Sequence, residues 1–153
     1  MKQEIKQEVT GIRIVHSAMI IGIFVFLMLS FFLNQKIGSF AFKEDSLETK
    51  LFLIISNIMA ISSITIGLFL FRNRLKKIEN FELIEKLKKY REATILRSST
   101  IEGPAFFFIV CFMLCGSFIF FIEAILCLGL ISYFFPTSSR IANEIRHEIS
   151  VFY

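Results

Sequence analysis

The chain has 153 residues, with a hydrophobic fraction of 55%, a charged fraction of 20% and a formal net charge of +4. The apolar residues, which include 20 Phe, are clustered in long blocks. Because a block of about 18 or more apolar residues with few charges is typical of a transmembrane helix, this pattern excludes an ordinary soluble domain. Four such blocks predict an all-α integral membrane protein with four spans.

The first apolar block covers residues 14–33. It is long for the apolar part of a signal peptide, and it ends in N-Q-K without a small-residue cleavage site. We therefore predict an uncleaved span. His16 lies near its start, and Ala18-x-x-x-Gly22 is a small-residue motif of the kind that lets two helix backbones approach closely.

The second block covers residues 51–71, and Asn57 lies inside it. The preceding loop, residues 34–50, has three Lys and a matching set of acidic residues: Glu44, Asp45 and Glu48. This balance of charge predicts that the loop faces away from the cytoplasm. Asn57 is a candidate partner for a carboxyl group on a neighbouring span.

Segment 72–97 is strongly basic, with nine Lys/Arg and four Glu. Between two spans such an excess indicates the cytoplasmic side of the membrane, and this fits better than a nucleic-acid interface. Leu83, Leu87 and Tyr90 form one apolar stripe, which predicts a helix in this segment. We expect a turn near Asn80 and a helical hairpin; a helix lying on anionic lipid head groups is the alternative.

The third block, residues 98–114, opens with S-S-T-I-E-G-P-A-F-F-F. Glu102 is a functional candidate, because a carboxyl group inside a membrane is costly. Pro104 either lies inside a continuous helix, where Ser98, Ser99 and Thr100 could bind the carbonyl that it frees, or lies in the first turn of a helix that starts near Ile101. In the second case Glu102 is a first-turn acid, and this structural role is the expected one. The alternatives are a proton- or ion-linked role and a contact with a partner protein. His16 or Arg97 is the expected partner of Glu102.

The fourth block, residues 118–135, follows a tight turn at Cys115–Ser117. Glu123 lies about five residues inside it, at a depth similar to that of Asn57. We therefore expect Glu123 and Asn57 to meet. Pro136 ends the span.

A tail, residues 136–153, follows the fourth span. Thr137 or Ser138 is suited to cap a new helix. Its apolar residues recur every four positions: Ile141, Ile145 and Ile149. This pattern predicts an amphipathic helix lying against the basic hairpin or the membrane surface.

Three cysteines, Cys111, Cys115 and Cys127, lie in the last two spans without an accompanying His or a C-x-x-C pair. We interpret them as packing residues, and we expect no metal and no cofactor. The sequence also contains no phosphate-binding loop, no H-E-x-x-H and no nucleophile elbow. A non-enzymatic protein is therefore expected.

The chain carries the pattern of an internal repeat with an offset of 81 residues. Residues 12–33 match residues 93–114 at seven of 22 positions, and the alignment places Ser99-x-x-x-Gly103 on the small-residue motif of the first span. These matches indicate a duplicated helical hairpin. Spans one and three would then be equivalent, as would spans two and four.

Residues 90–110, Y-R-E-A-T-I-L-R-S-S-T-I-E-G-P-A-F-F-F-I-V, resemble a motif of small, uncharacterised four-helix inner-membrane proteins of Gram-negative bacteria. The exit F-F-P-T-S-S-R-I is also similar. The resemblance covers most of the chain, and it implies a four-span topology and a bacterial origin.

A weaker resemblance is to the proteolipid subunits of rotary ATPases, which place a glutamate before small and apolar residues, as in T-I-E-G-P-A. The acid of those subunits lies near mid-membrane in the second helix of a hairpin, whereas Glu102 opens the third span. The glycine-rich first helix of that family is also missing here, since the whole chain has seven Gly.

These observations predict a four-helix bundle in the bacterial inner membrane, with both termini and the basic loop in the cytoplasm. We expect it to associate with itself or with other membrane subunits through its small-residue faces. Anionic lipid head groups are expected at the basic loop, and no nucleic acid. The alternative is a proton- or ion-coupled protein that uses Glu102.

Overall fold

The computed structural model describes residues 2–39, 42, 46–78 and 80–146. These residues form five α-helices and no strand, so the predicted all-α class is confirmed. In chain order the helices are α1 (Lys2–Ile37), α2 (Leu47–Lys77), α3 (Leu83–Cys115), α4 (Phe118–Tyr133) and α5 (Ser138–Ile145).

Helices α1, α2 and α3 are each long and apolar enough to cross a membrane. Their lengths of 36, 31 and 33 residues exceed the roughly 20 residues that a crossing needs. Helix α4 has 16 residues, and the pair α4–α5 is bent by 74°. The described part of the chain therefore holds three helices that are long and apolar enough to span a membrane, or up to four if the bent pair makes one crossing. This architecture indicates a multi-pass membrane protein.

Helix α3 is central, because α1, α2 and α4 all pack against it. Its apolar half shares one core with α1 and α4, which includes Ile23, Ile109 and Phe120. Its charged half shares a second core with α1, α2 and α5, which includes Tyr90 and Ile141. The charged segment is therefore a packed part of the protein.

The turn between α2 and α3 lies where it is expected, because α2 ends at Lys77, α3 begins at Leu83 and Asn80 lies between them. The expected start of the third helix near Ile101 is wrong, because α3 begins at Leu83 and runs without a break to Cys115. Its first turns bury Leu87, which gives that stretch a packing partner and keeps it helical. Glu102 is consequently in the interior of the helix, and so is Pro104.

The turn between α3 and α4 depends on Gly116, whose φ of 71° is in the left-handed region. Its N–H donates to the Phe112 carbonyl at 2.8 Å and so satisfies one of the last acceptors of α3. A Cβ at Gly116 would lie 3.1 Å from the Ser39 Cβ. The predicted tight turn is therefore present, and glycine is suited to it by both conformation and space.

Helix α5 begins after Thr137, whose side chain accepts a hydrogen bond from the Arg140 N–H at 3.3 Å. Ile141 and Ile145 are buried, as the four-residue spacing predicts. Ile149 and the rest of the predicted tail, residues 147–153, lie outside the described residues. The same holds for two acidic residues of the predicted outer loop, Glu44 and Asp45.

Helices α1 and α3 run parallel, and contacting residues are separated by a nearly constant distance in sequence. The separation is 83 residues for the Glu8–Arg91 pair, 82 for His16–Ser98 and 78 for Asn34–Phe112. These separations lie on both sides of the predicted repeat offset of 81 residues. The second helices of the two halves differ, since α2 has 31 residues and α4 has 16.

Candidate functional site

Pro104 removes one backbone hydrogen bond inside α3, because it has no N–H to donate to the carbonyl of Thr100. The Ser63 hydroxyl of α2 donates to that carbonyl at 2.9 Å. Ser98 and Thr100, two of the donors expected for a continuous helix, bond instead to His16 and to the Arg97 carbonyl. The replacement bond therefore joins two helices.

Gly67 lies one turn beyond Ser63 on the same face of α2 and brings α2 into close contact with α3. A Cβ at Gly67 would lie 2.7 Å from the Thr100 Cβ and would collide with the Thr100 hydroxyl. Ser63-x-x-x-Gly67 is thus the small-residue motif that packs inside the chain. Sequence reasoning did not single out this motif, although its four-residue spacing indicates a helix surface that permits close approach.

The two motifs singled out from the sequence do not pack within the chain. Ala18, Ser99 and Gly103 are exposed, and a Cβ at Gly22 or Gly103 would meet nothing within 4 Å. The expected association with another copy or another subunit through these motifs stays a prediction. Larger side chains join α1 to α3 instead, as in the Phe26–Phe106 pair with ring centroids 5.5 Å apart.

We call these four residues and Glu102 the small-residue face: Ala18, Gly22, Ser99, Glu102 and Gly103. Ser99, Glu102 and Gly103 are three and four residues apart, so they share one side of α3. The register between α1 and α3 brings Gly22 to about the level of Gly103. Glu102 is partly exposed and has no hydrogen bond or ion pair among the described residues.

His16 does not contact Glu102, so the expected pair is wrong. Its Nε2 lies 2.9 Å from the Ile131 carbonyl, and its Nδ1 lies 3.0 Å from the Ser98 hydroxyl. Because a carbonyl oxygen only accepts, Nε2 carries the hydrogen. His16 is 1% exposed and connects α1 to α3 and to the last turn of α4. The geometry gives it a structural role.

Arg97 does not contact Glu102 either, although this pairing was the second expectation. Its side chain points toward the N-terminus of α3, away from Glu102. Arg97 is 2% exposed, and its guanidinium lies 3.3 Å from a carboxylate oxygen of Glu144. The same group stacks on Phe71 and Phe134, with distances of 3.9 and 4.5 Å to the ring centroids.

Glu144 of α5 also accepts a hydrogen bond from the Tyr90 hydroxyl at 2.7 Å. Tyr90 precedes the apolar part of α3, and burial, with a smaller effect of Glu144, raises its pKa above the ordinary value. A second connection joins α5 to α1, since Arg13 donates to the Ser138 hydroxyl at 2.7 Å and to the Pro136 carbonyl at 3.2 Å. The sequence left α5 against either the basic hairpin or the membrane surface, and the contacts with Tyr90 and Arg97 place it on the hairpin.

Asn57 and Glu123 are in contact, as their similar depth predicts. The Asn57 amide donates to one carboxyl oxygen of Glu123 at 2.6 Å and to the Leu53 carbonyl at 2.9 Å. The other oxygen of Glu123 is buried and has no hydrogen-bond partner among the described residues. The pair joins α2 to α4 near the end that is opposite to Arg97.

Cys111, Cys115 and Cys127 are free and buried. Within the described ranges no group of three His, Cys, Asp or Glu side chains is placed to hold a metal ion. The polar side chains described above therefore join helices to one another, whereas Glu102 lies on an outer surface. No known protein family, no characterised protein and no solved structure matches the chain.

Proposed function

We propose that this chain is a non-enzymatic membrane protein that binds a transmembrane helix on its small-residue face. That helix belongs to a second copy of the chain or to another subunit of a membrane complex. The observation that carries the proposal is that Gly22 and Gly103 have open space in front of them while Gly67 packs tightly within the chain. The two motifs that end at Gly22 and Gly103 are therefore available to contact a helix that is not part of this chain.

Close packing is the main attraction between helices in a membrane, where lipid tails are as apolar as Leu. Small residues favour it because they let the backbones of two helices approach each other. Ala18 and Gly22 on α1, with Ser99 and Gly103 on α3, present such a surface at matching depths. A helix with small residues of its own would complement it.

Glu102 adds a polar group to this otherwise apolar face. A carboxyl group in an apolar environment is costly unless it is hydrogen-bonded or paired. Since Glu102 has no partner among the described residues, a donor on the bound helix would supply one. Such a bond contributes about 0.6 to 2 kcal/mol in a membrane, and it would also fix the register of the two helices.

The proposed topology has four crossings, with both termini and the basic loop in the cytoplasm of a bacterial cell. The nine Lys/Arg of segment 72–97 support this orientation. The tight turn at Gly116 and the packing of α4 against α3 support a fourth crossing by α4. Anionic lipid head groups would surround the basic loop.

A second candidate function is proton or ion coupling through Glu102, because this carboxyl group is partly exposed and unpartnered in the described part of the chain. Carbodiimide labelling tests it. Labelling at Glu102 that decreases at high pH or with Na⁺ supports coupling, and Glu102→Gln identifies the labelled residue. An unlabelled Glu102 at every pH contradicts it.

The lead proposal is tested by the size of the complex extracted from membranes in mild detergent. We expect the wild type to migrate as a complex and Gly22→Val/Gly103→Val to migrate as a lone chain. Gly129→Val is the matched control, because Gly129 is also exposed with nothing within 4 Å of its Cβ. A complex that survives Gly22→Val/Gly103→Val contradicts the proposal.

A further inference from the structure

A groove of about 420 Å³ separates the last turns of α2 from the end of α5. It is distinct from the small-residue face, since none of the five residues of that face lines it. Its polar lining consists of Arg72, Asn73, Lys76, Glu144 and Arg146. Phe69 and Ile145 are among its apolar lining residues.

The described lining of the groove has a net positive charge. Arg72 and Lys76 are both exposed and four residues apart, so they lie on one side of α2. Asn73 adds an amide, and Arg146 lines the groove from the end of α5. The one carboxylate among these described lining residues, Glu144, is already bound to buried cationic and phenolic groups and does not cancel the charge.

The position of the groove along α2, at the end of its apolar stretch, suits a lipid head group. Its basic residues begin at Arg72, directly after the apolar stretch of α2 that ends at residue 71. Phe69 lines the groove from the apolar side and is 62% exposed, so it offers a surface for an acyl chain. Charged and apolar lining therefore meet at the level where phosphate and acyl chain are joined in a phospholipid.

We propose that this groove binds the phosphate of an anionic phospholipid head group. Arg72 and Lys76 contact the phosphate, Asn73 donates a hydrogen bond, and Phe69 contacts the first part of an acyl chain. The site is formed only when α5 is docked, because α5 supplies its second wall. It requires that α2 crosses the membrane and is independent of the proposed partner helix.

Native mass spectrometry of the purified full-length chain tests the site with phosphatidylglycerol as the probe and phosphatidylcholine as the zwitterionic comparison. We expect phosphatidylglycerol to bind at least tenfold more tightly. Arg72→Gln/Lys76→Gln should weaken its binding about 30-fold, as expected for two cations near an anionic group. Arg74→Gln/Lys77→Gln is the matched control, since it removes the same charge from exposed residues of the same turns that do not line the groove.

Equal weakening by the two double variants would overturn the proposal, because it would show attraction to the whole basic surface. An equal affinity for both lipids would do the same. Inorganic phosphate that competes at millimolar concentration would show a site for free phosphate and would also contradict a lipid site. The helical circular dichroism of each variant is compared with wild type, and Lys76→Gln against Lys77→Gln repeats the comparison if a double variant fails to fold.

Discussion

Two surfaces of this protein carry the same sequence motif and differ in what it does. On α2, Ser63 and Gly67 bring the helix so close to α3 that a Cβ would collide with Thr100. On α1 and α3, the motifs that end at Gly22 and Gly103 face open space. The motif thus identifies a helix surface that permits close approach, and the rest of the fold decides whether the partner is internal.

The polar groups of the two surfaces differ in the same way. Inside the bundle the carbonyl freed by Pro104 is bound by Ser63, and His16 and Arg97 each bond to two other groups. On the small-residue face Glu102 has no partner among the described residues. Substitution of an internal residue should therefore cost more stability than substitution of its exposed counterpart.

Arg97→Met should destabilise the fold by about 3 kcal/mol, the lower end for breaking a buried ion pair, because Glu144 is 23% exposed and keeps some contact with water. Glu102→Gln, its counterpart on the small-residue face, should change stability by less than about 0.5 kcal/mol. Unfolding in detergent followed by circular dichroism measures both. Equal losses would show that Glu102 has a partner within the fold.

Gly67→Val should destabilise the protein by about 2–3 kcal/mol, because the new side chain forces α2 away from Thr100. Gly103→Val should leave the unfolding curve of the isolated chain unchanged, since its Cβ meets open space. Thermal melts in the same detergent compare the two. A large loss at position 103 would contradict the distinction between the two surfaces.

Ser63→Ala should cost about 1–2 kcal/mol, because it leaves the Thr100 carbonyl without a donor. Ser99→Ala on the exposed face should have no measurable effect. In a Pro104→Ala background the new N–H can bond to that carbonyl, so the cost of Ser63→Ala should decrease. A cost that is the same in both backgrounds would show that Ser63 does not replace the missing bond.

Tyr90 should make the free energy of unfolding depend on pH in the alkaline range. Its folded-state pKa is raised by burial, so its contribution is complete below about pH 10 and is lost as pH rises above that value. At pH 11 the loss is about 1 kcal/mol, and Tyr90→Phe should remove it. The control is Tyr133→Phe, which removes a phenol that is 68% exposed. A pH profile unchanged by Tyr90→Phe would contradict this assignment.

The sequence allowed prediction of features that depend on spacing along one helix. The apolar blocks predicted three helices that are long and apolar enough to span a membrane, the apolar stripe in segment 72–97 predicted a helix there, and Gly116 predicted the tight turn. Counting residues from the membrane edge also predicted the contact between Asn57 and Glu123. These predictions succeed because rise per residue is nearly constant in an α-helix.

One comparison of depth between helices failed, that of His16 with Glu102. The structure places His16 beside Ser98, one turn before Glu102. The packing of side chains sets that register. Arg97 binds Glu144, 47 residues away, and neither the periodicity nor the charge pattern contains that pairing.

Site-specific photocrosslinking in intact membranes tests the central claim, that the small-residue face binds a transmembrane helix. A photoreactive phenylalanine analogue at Ala18 or Ser99 should give a protein adduct, whose mass shows whether the partner is a second copy or another subunit. The same analogue at Ile58, which is 63% exposed on α2, should give none. Adducts at Ile58 equal to those at Ala18 and Ser99, or none at Ala18 and Ser99, would contradict the claim.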